Sequence, residues 1–274
     1  LLILFLAVEA GCSKDKDLTR EVQELTSGNL KFAEGPAYID GSLFFSDIDA
    51  SIIYKWSQPD GLKVFRENTG RSNGIFPGKN GDLIVCEGGN KRLVRLTMGQ
   101  AVSVITDKYG TRPYNEPNDV WVSPGGNIYF TDPVYTGSLS QDGEYVYCVA
   151  ASTGEVSRVA SDLIKPNGIT GNKSGSLLYI ADYGASKIYC YDILPDGTLT
   201  NKRLFAQIQA DGLDTDSNGN IYAASDGIMI YNSSGLLLRT IPVPGITTNS
   251  CIVEEGTTTL FITTHNSVFK YIIN

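Results

Sequence analysis

The sequence predicts an all-β chain folded as a six-bladed β-propeller, its ring closed by pairing of N- and C-terminal strands. Three observations carry that prediction. Helical periodicity is almost absent. A short β-rich word recurs six times, opening at Glu34, Asn73, Asn118, Asn167, Asp211 and Asn249. The intervals run from 38 residues (Asp211 to Asn249) to 49 (Asn118 to Asn167), the size of one four-stranded blade.

In chain order, Leu1–Val8 form an unbroken apolar run, followed by Glu9-Ala10-Gly11-Cys12 and a hydrophilic stretch. Eight residues are too few to span a bilayer of about 30 Å. The pattern resembles the end of a bacterial lipoprotein signal, with Cys12 as the lipidated residue. Residues 1–12 are therefore expected to be a signal remnant, 13–24 a linker and 25–274 one propeller domain. The expected location is the bacterial cell envelope, lipid-anchored or periplasmic, with Cys12 the only route to a membrane.

Each copy then presents a turn rich in Gly, Asn or Asp and an apolar second strand. Asp40-Gly41 precedes Ser42–Asp47, Asn80-Gly81 precedes Asp82–Glu87, and Gly125-Gly126 precedes Asn127–Asp132. Ser174-Gly175, Asn218-Gly219 and Glu255-Gly256 precede Leu177–Asp182, Asn220–Ser225 and Thr259–Thr264. Gly and Asn tolerate the positive φ that tight connections need. Third strands follow at Ser51–Trp56, Arg92–Leu96 and Lys187–Tyr191. The last copy ends after Ser267–Tyr271, so its outer strand is expected from Val22–Phe32, which removes the exposed edge of an open array. Cys86, Cys148, Cys190 and Cys251 lie within apolar runs and read as buried thiols, with a disulfide among them left open.

Composition bounds the chemistry. Of 274 residues 42% are hydrophobic and 19% charged, which fits a large core and excludes disorder. A net charge of −8 disfavours nucleic acid and anionic lipid as partners. His265 is the single histidine, so His-rich zinc sites and HExxH chemistry are excluded.

The opening polar residues of the six copies should converge on the propeller axis at one face. They are two carboxylates and four amides, all hard oxygen donors, which favour Ca²⁺ over zinc or copper, with Mg²⁺ as the other candidate. One divalent cation at the axis is the expected cofactor. Asn and Asp also cap turns ahead of strands, but six in one ring point to a site.

The words Ala33-Glu34-Gly35-Pro36, Cys86-Glu87-Gly88-Gly89-Asn90, Pro117-Asn118-Asp119-Val120, Phe130-Thr131-Asp132-Pro133, Pro166-Asn167-Gly168-Ile169 and Asp211-Gly212-Leu213, in that order, resemble the SMP-30/gluconolactonase/LRE-like family. The resemblance implies a propeller binding one catalytic divalent cation, usually Ca²⁺. It implies hydrolysis of small-molecule lactones or esters, or of phosphotriesters in the squid-type fluorophosphatase branch. The ligands it implies are Glu34, Asn118, Asn167 and Asp211, with Asp211 also the base or nucleophile. Asn73 and Asn249, the rest of the ring, are expected to bind substrate. His265 resembles in position a site histidine of the fluorophosphatase branch, although a lone strand-end His is commonly structural. Glu116 stands where the mammalian sugar-lactonase branch has Arg, so that contact is not inherited. Asp214 matches one ligand of a second, structural calcium in the fluorophosphatase branch, but Cys251 replaces its histidine. The rival to an enzyme is a non-catalytic propeller that binds a ligand at the envelope.

Overall fold

The computed structural model describes residues 22–273. Residues 1–21, on which the lipoprotein reading rests, and Asn274 lie outside the described residues.

Six four-stranded antiparallel sheets form the blades; in five of them each strand pairs with the next in sequence, and the sixth takes its outer strand from the N-terminal segment. The first blade comprises Ala33–Ile39, Ser42–Asp47, Ile52–Ser57 and Gly61–Glu67. The fourth repeats the pattern with Pro166–Gly171, Leu177–Asp182, Lys187–Ile193 and Leu199–Ala206. Among the described residues the only helical element is a single 3-10 turn at Tyr183–Ala185. The expected second strands are all present, three starting one residue later than read and one starting two residues earlier.

Closure also follows the expectation. Gln23–Glu24 pairs with the third strand of blade six, Val268–Ile272, in the register Gln23 to Lys270 and Glu24 to Phe269. Two residues make a short ladder, and side chains extend it. Ser267 Oγ donates to Glu24 Oε1 at 2.6 Å and Val268 N to Thr26 Oγ1 at 2.8 Å.

The core is divided rather than central. Apolar clusters fill the spaces between blades: Phe44 and Ile53 against Ile75 and Val85 between the first and second, Cys86 and Leu93 against Phe130 and Tyr147 between the second and third. The second strands are therefore buried on both faces, as for sheets covered on both sides. The four cysteines among the described residues are free thiols, three of them buried.

Candidate functional site

Local devices aim the six opening residues at the axis. In four blades the ladder slips where the opening residue sits, between Glu34 and Ala37, Ser72 and Ile75, Pro166 and Ile169, and Thr247 and Asn249. Such bulges re-aim a side chain out of the sheet. A glycine follows in four copies and lets the next blade approach. Gly74 N donates to Asn118 O at 2.7 Å, Gly168 N to Asp211 O at 2.8 Å and Gly212 N to Thr248 O at 2.7 Å. A β-carbon at Gly35, itself at φ +55°, would lie 2.7 Å from Gly74 Cα, so no side chain fits. Hydroxyls brace further ring carbonyls: Ser46 Oγ donates to Asn73 O at 2.7 Å and Thr131 Oγ1 to Asn167 O at 2.8 Å.

The acid ending each of several second strands fixes the segment that leads into the ring. Asp47 accepts from Lys31 N and Phe32 N, Asp132 from Asn115 N, and Asp182 from Ile164 N and Lys165 N. Each acceptor thus holds the chain two or three residues before Glu34, Asn118 or Asn167. Glu87, fully buried, instead pairs with Arg66 Nη1 at 2.8 Å and Arg92 Nε at 2.6 Å.

Glu34, Asn73, Asn118, Asn167 and Asp211 line one cavity of about 730 Å³. Asn167 Nδ2 donates to Asp211 Oδ1 at 2.5 Å and to the Tyr135 hydroxyl at 2.6 Å. Glu34 Oε2 accepts from Gly35 N at 2.7 Å. Burial, and then the charge of Asp211, push the Glu34 carboxyl well above the usual carboxylate range; burial likewise raises Asp211. No cationic side chain among the described residues relieves them. Arg71 in the cavity wall is paired with Asp49 at 2.8 Å, and Lys91 donates to Asn115 O and Ser140 Oγ.

Two expected members lie elsewhere. Asn249 is not in the cavity wall: its Nδ2 donates to Glu34 Oε2 at 3.2 Å and its Oδ1 accepts from Ser250 N, placing it around a small axial hollow of about 50 Å³ with Asp119, Asp214 and Cys251. It supports Glu34 from that side. His265 stands behind Phe32, ring centroids 4.2 Å apart, and Phe32 is the residue that lines the cavity. Burial raises Asp119 to about 6 and Asp214 to about 7. Sequence reasoning missed Tyr135 and Arg71 as cavity residues. Their loops sit between strands, where the repeat gives no register; the aromatic after Asp132-Pro133-Val134 was the available signal.

The model of the SMP-30/Gluconolactonase/LRE-like region matches residues 32–266. The chain belongs to this family. A gluconolactonase of Zymomonas mobilis subsp. mobilis is 26% identical over 285 residues, covering 90% of this chain and 80% of its own. Lactonase drp35 of Staphylococcus saprophyticus is 25% identical, covering 75% and 67%. The solved structure of a gluconolactonase from Xanthomonas campestris superposes with a TM-score of 0.85 at 25% identity, covering 91% of this chain and 89% of that one. A calcium-binding regucalcin from Agrobacterium tumefaciens shares the fold, with a TM-score of 0.78 at 17% identity and coverage of 92% and 93%.

For the divalent cation that SMP-30 family membership implies, the donor set fits. Glu34 Oε1, Asp211 Oδ2 and the side-chain oxygens of Asn118 and Asn167 accept no hydrogen bond from the described residues. Hard oxygens of this kind suit Ca²⁺ or Mg²⁺. No three His, Cys, Asp or Glu side chains cluster to hold a metal among the described residues. The family's cation would therefore rest on carboxylates and amides together, which keeps the ligand charge low.

Proposed function

We propose that this chain is a calcium-dependent hydrolase that opens lactones in the axial cavity. The observation that carries the reading is the pairing of Glu34 and Asp211. They are two carboxylates from distant parts of the chain, lining one cavity, with raised proton affinity and no cationic partner among the described residues. Relatives named gluconolactonase and lactonase support the substrate class.

Glu34, Asn118, Asn167 and Asp211 would hold the cation, which when bound supplies Lewis-acid polarisation of the ester carbonyl. Asn167 orients the Asp211 carboxylate through Oδ1, and that carboxylate takes the proton of the attacking water, as a general base must within hydrogen-bond reach. Asn73 lines the cavity beside Glu34 and binds the substrate's polar groups. The chain's own contribution is thus to fix the base, shape the pocket and bury both carboxylates.

Hydrolysis of glucono-1,5-lactone, followed by acid release with added calcium and with chelator, tests the reading. Chelation should abolish turnover. Calcium at a hundred times its Kd stabilises by about 2.7 kcal/mol, a rise in Tm of roughly 5–10 °C for a domain of this size. Asp211→Asn should lower kcat by about 10²–10⁴-fold, the range for a general base, with the fold intact. Single turnover in ¹⁸O-water should place label in the product and none in Asp211. Calcium binding without turnover would overturn the enzymatic reading in favour of a binding propeller.

A further inference from the structure

The segment 133–144 joins the second and third strands of blade three, Ile128–Asp132 and Tyr145–Val149, and its residues 135–138 and Ser140 line the cavity. Both limbs of this loop are tied down. At its start the Glu116 carboxylate accepts from Tyr135 N at 3.0 Å, Thr136 N at 2.8 Å and Thr136 Oγ1 at 2.7 Å. At its end the fully buried Asn115 accepts from Ser140 N and Gln141 N through Oδ1, and its Nδ2 donates to Gly143 O. Gln141 Nε2 adds two bonds to the carbonyls of Arg112 and Pro113. The loop is a fixed wall.

Tyr135 is the side chain this wall delivers to the axis. Its hydroxyl oxygen accepts from Asn167 Nδ2 at 2.6 Å, the same nitrogen that donates to Asp211. Lys165 Nζ lies 4.7 Å from its ring centroid and Tyr183 packs edge-on against it, so the ring is held from outside. A phenol has one proton to donate. No acceptor among the described residues takes the proton of Tyr135, and the hydroxyl stands in the cavity wall beside the proposed base.

We propose that Tyr135 donates a hydrogen bond to an ester oxygen of the substrate, and that Glu116 is the positioning residue that holds it there. The proposal rests on the lactonase reading above. Tyr135 is then a catalytic residue by contact, stabilising charge that grows on oxygen as the ester is attacked. Glu116 touches only the loop and acts through it. Because the accepting atom belongs to the ester itself, the contribution is the same for a hydroxylated lactone and for a bare one.

The test uses the calcium-loaded protein and two probes, glucono-1,5-lactone and δ-valerolactone. Tyr135→Phe should lower kcat/KM about 10- to 100-fold, the worth of a hydrogen bond to a charged group. The loss should be equal on both probes, with calcium affinity by calorimetry changed less than about threefold. Glu116→Gln should lower kcat/KM in the native background and have little further effect in the Tyr135→Phe background, the non-additivity of residues acting as one unit. Unchanged kcat/KM in Tyr135→Phe overturns the proposal while wild-type turnover keeps the lactonase reading. A parallel loss of calcium affinity, or a loss on glucono-1,5-lactone alone, also overturns it. A wild-type protein inert toward both probes with calcium bound sinks both readings.

Discussion

Replacing Gly168 by alanine adds one methyl group where two blades meet at the axis. Its φ is one that alanine adopts, so the effect is steric. The new β-carbon would overlap the carbonyl oxygen of Asp211 and lie 2.8 Å from two backbone carbons of Gly212. Both neighbours are backbone and cannot rotate away. Relief requires the blades to part, which lengthens the 2.8 Å bond from Gly168 N to Asp211 O. Overpacking of this kind costs about 1–3 kcal/mol and the weakened bond about 0.5–1.5. The expected loss is therefore about 2–4 kcal/mol, or roughly 5–15 °C in Tm. Asp211 moves with its carbonyl, and a displacement near 1 Å of a catalytic group costs about 10²-fold in rate. Differential scanning calorimetry and the lactone assay read the two effects. Gly125→Ala is the control: its nearest neighbour outside the chain-adjacent residues, Ser123 Oγ, is 3.7 Å away, and the change should stay within about 0.5 kcal/mol. If Gly168→Ala melts and turns over like Gly125→Ala, the blades do not depend on close main-chain approach.

Asp182→Ala should cost about 1–3 kcal/mol by leaving the amides of Ile164 and Lys165 without their acceptor, and should lower kcat/KM because those amides fix the entry to Asn167; full activity with reduced Tm would refute the positioning role. The pH dependence of the calcium-free protein reports on Asp214, which burial raises to about 7. The folded state keeps this proton where the unfolded chain has released it, so stability is fully present below the unfolded value near 4 and falls as pH rises toward 7. The slope is about 1.4 kcal/mol per pH unit per such group. Asp214→Asn should flatten the denaturation-derived slope across that window by one group's share, and an unchanged slope would refute the assignment.

Repeat architecture was legible because its cues are local. Leu177–Asp182 reads as an apolar run behind Ser174-Gly175, and it is a strand with those bounds. The convergence of Glu34 and Asp211 follows from register alone. What the repeat does not encode are the differences among copies. Treating six openings as equivalent placed Asn249 in the cavity, whereas its amide is drawn to Glu34 and its side-chain oxygen to Ser250 N. His265 was placed in the site by resemblance to the fluorophosphatase branch, but Phe32, just ahead of the first blade, packs against its ring and lines the cavity in its place. Asp47, Asp132 and Asp182 at strand ends accept from backbone amides 15 to 18 residues upstream, a separation that no local pattern reports. The tie between Glu116 and Tyr135 is equally distant.

The close approach at Gly35, Gly74 and Gly168 has an evolutionary consequence. The aperture of the tunnel is gauged by main-chain atoms touching across neighbouring sheets, so the neighbouring side chains of Glu34, Asn73 and Asn167 are relieved of any duty to keep the ring at its diameter. Exchanging them alters which ion or ligand is greeted without resizing the doorway. A scaffold arranged in this way can diversify its chemistry one rim position at a time while its architecture stands still.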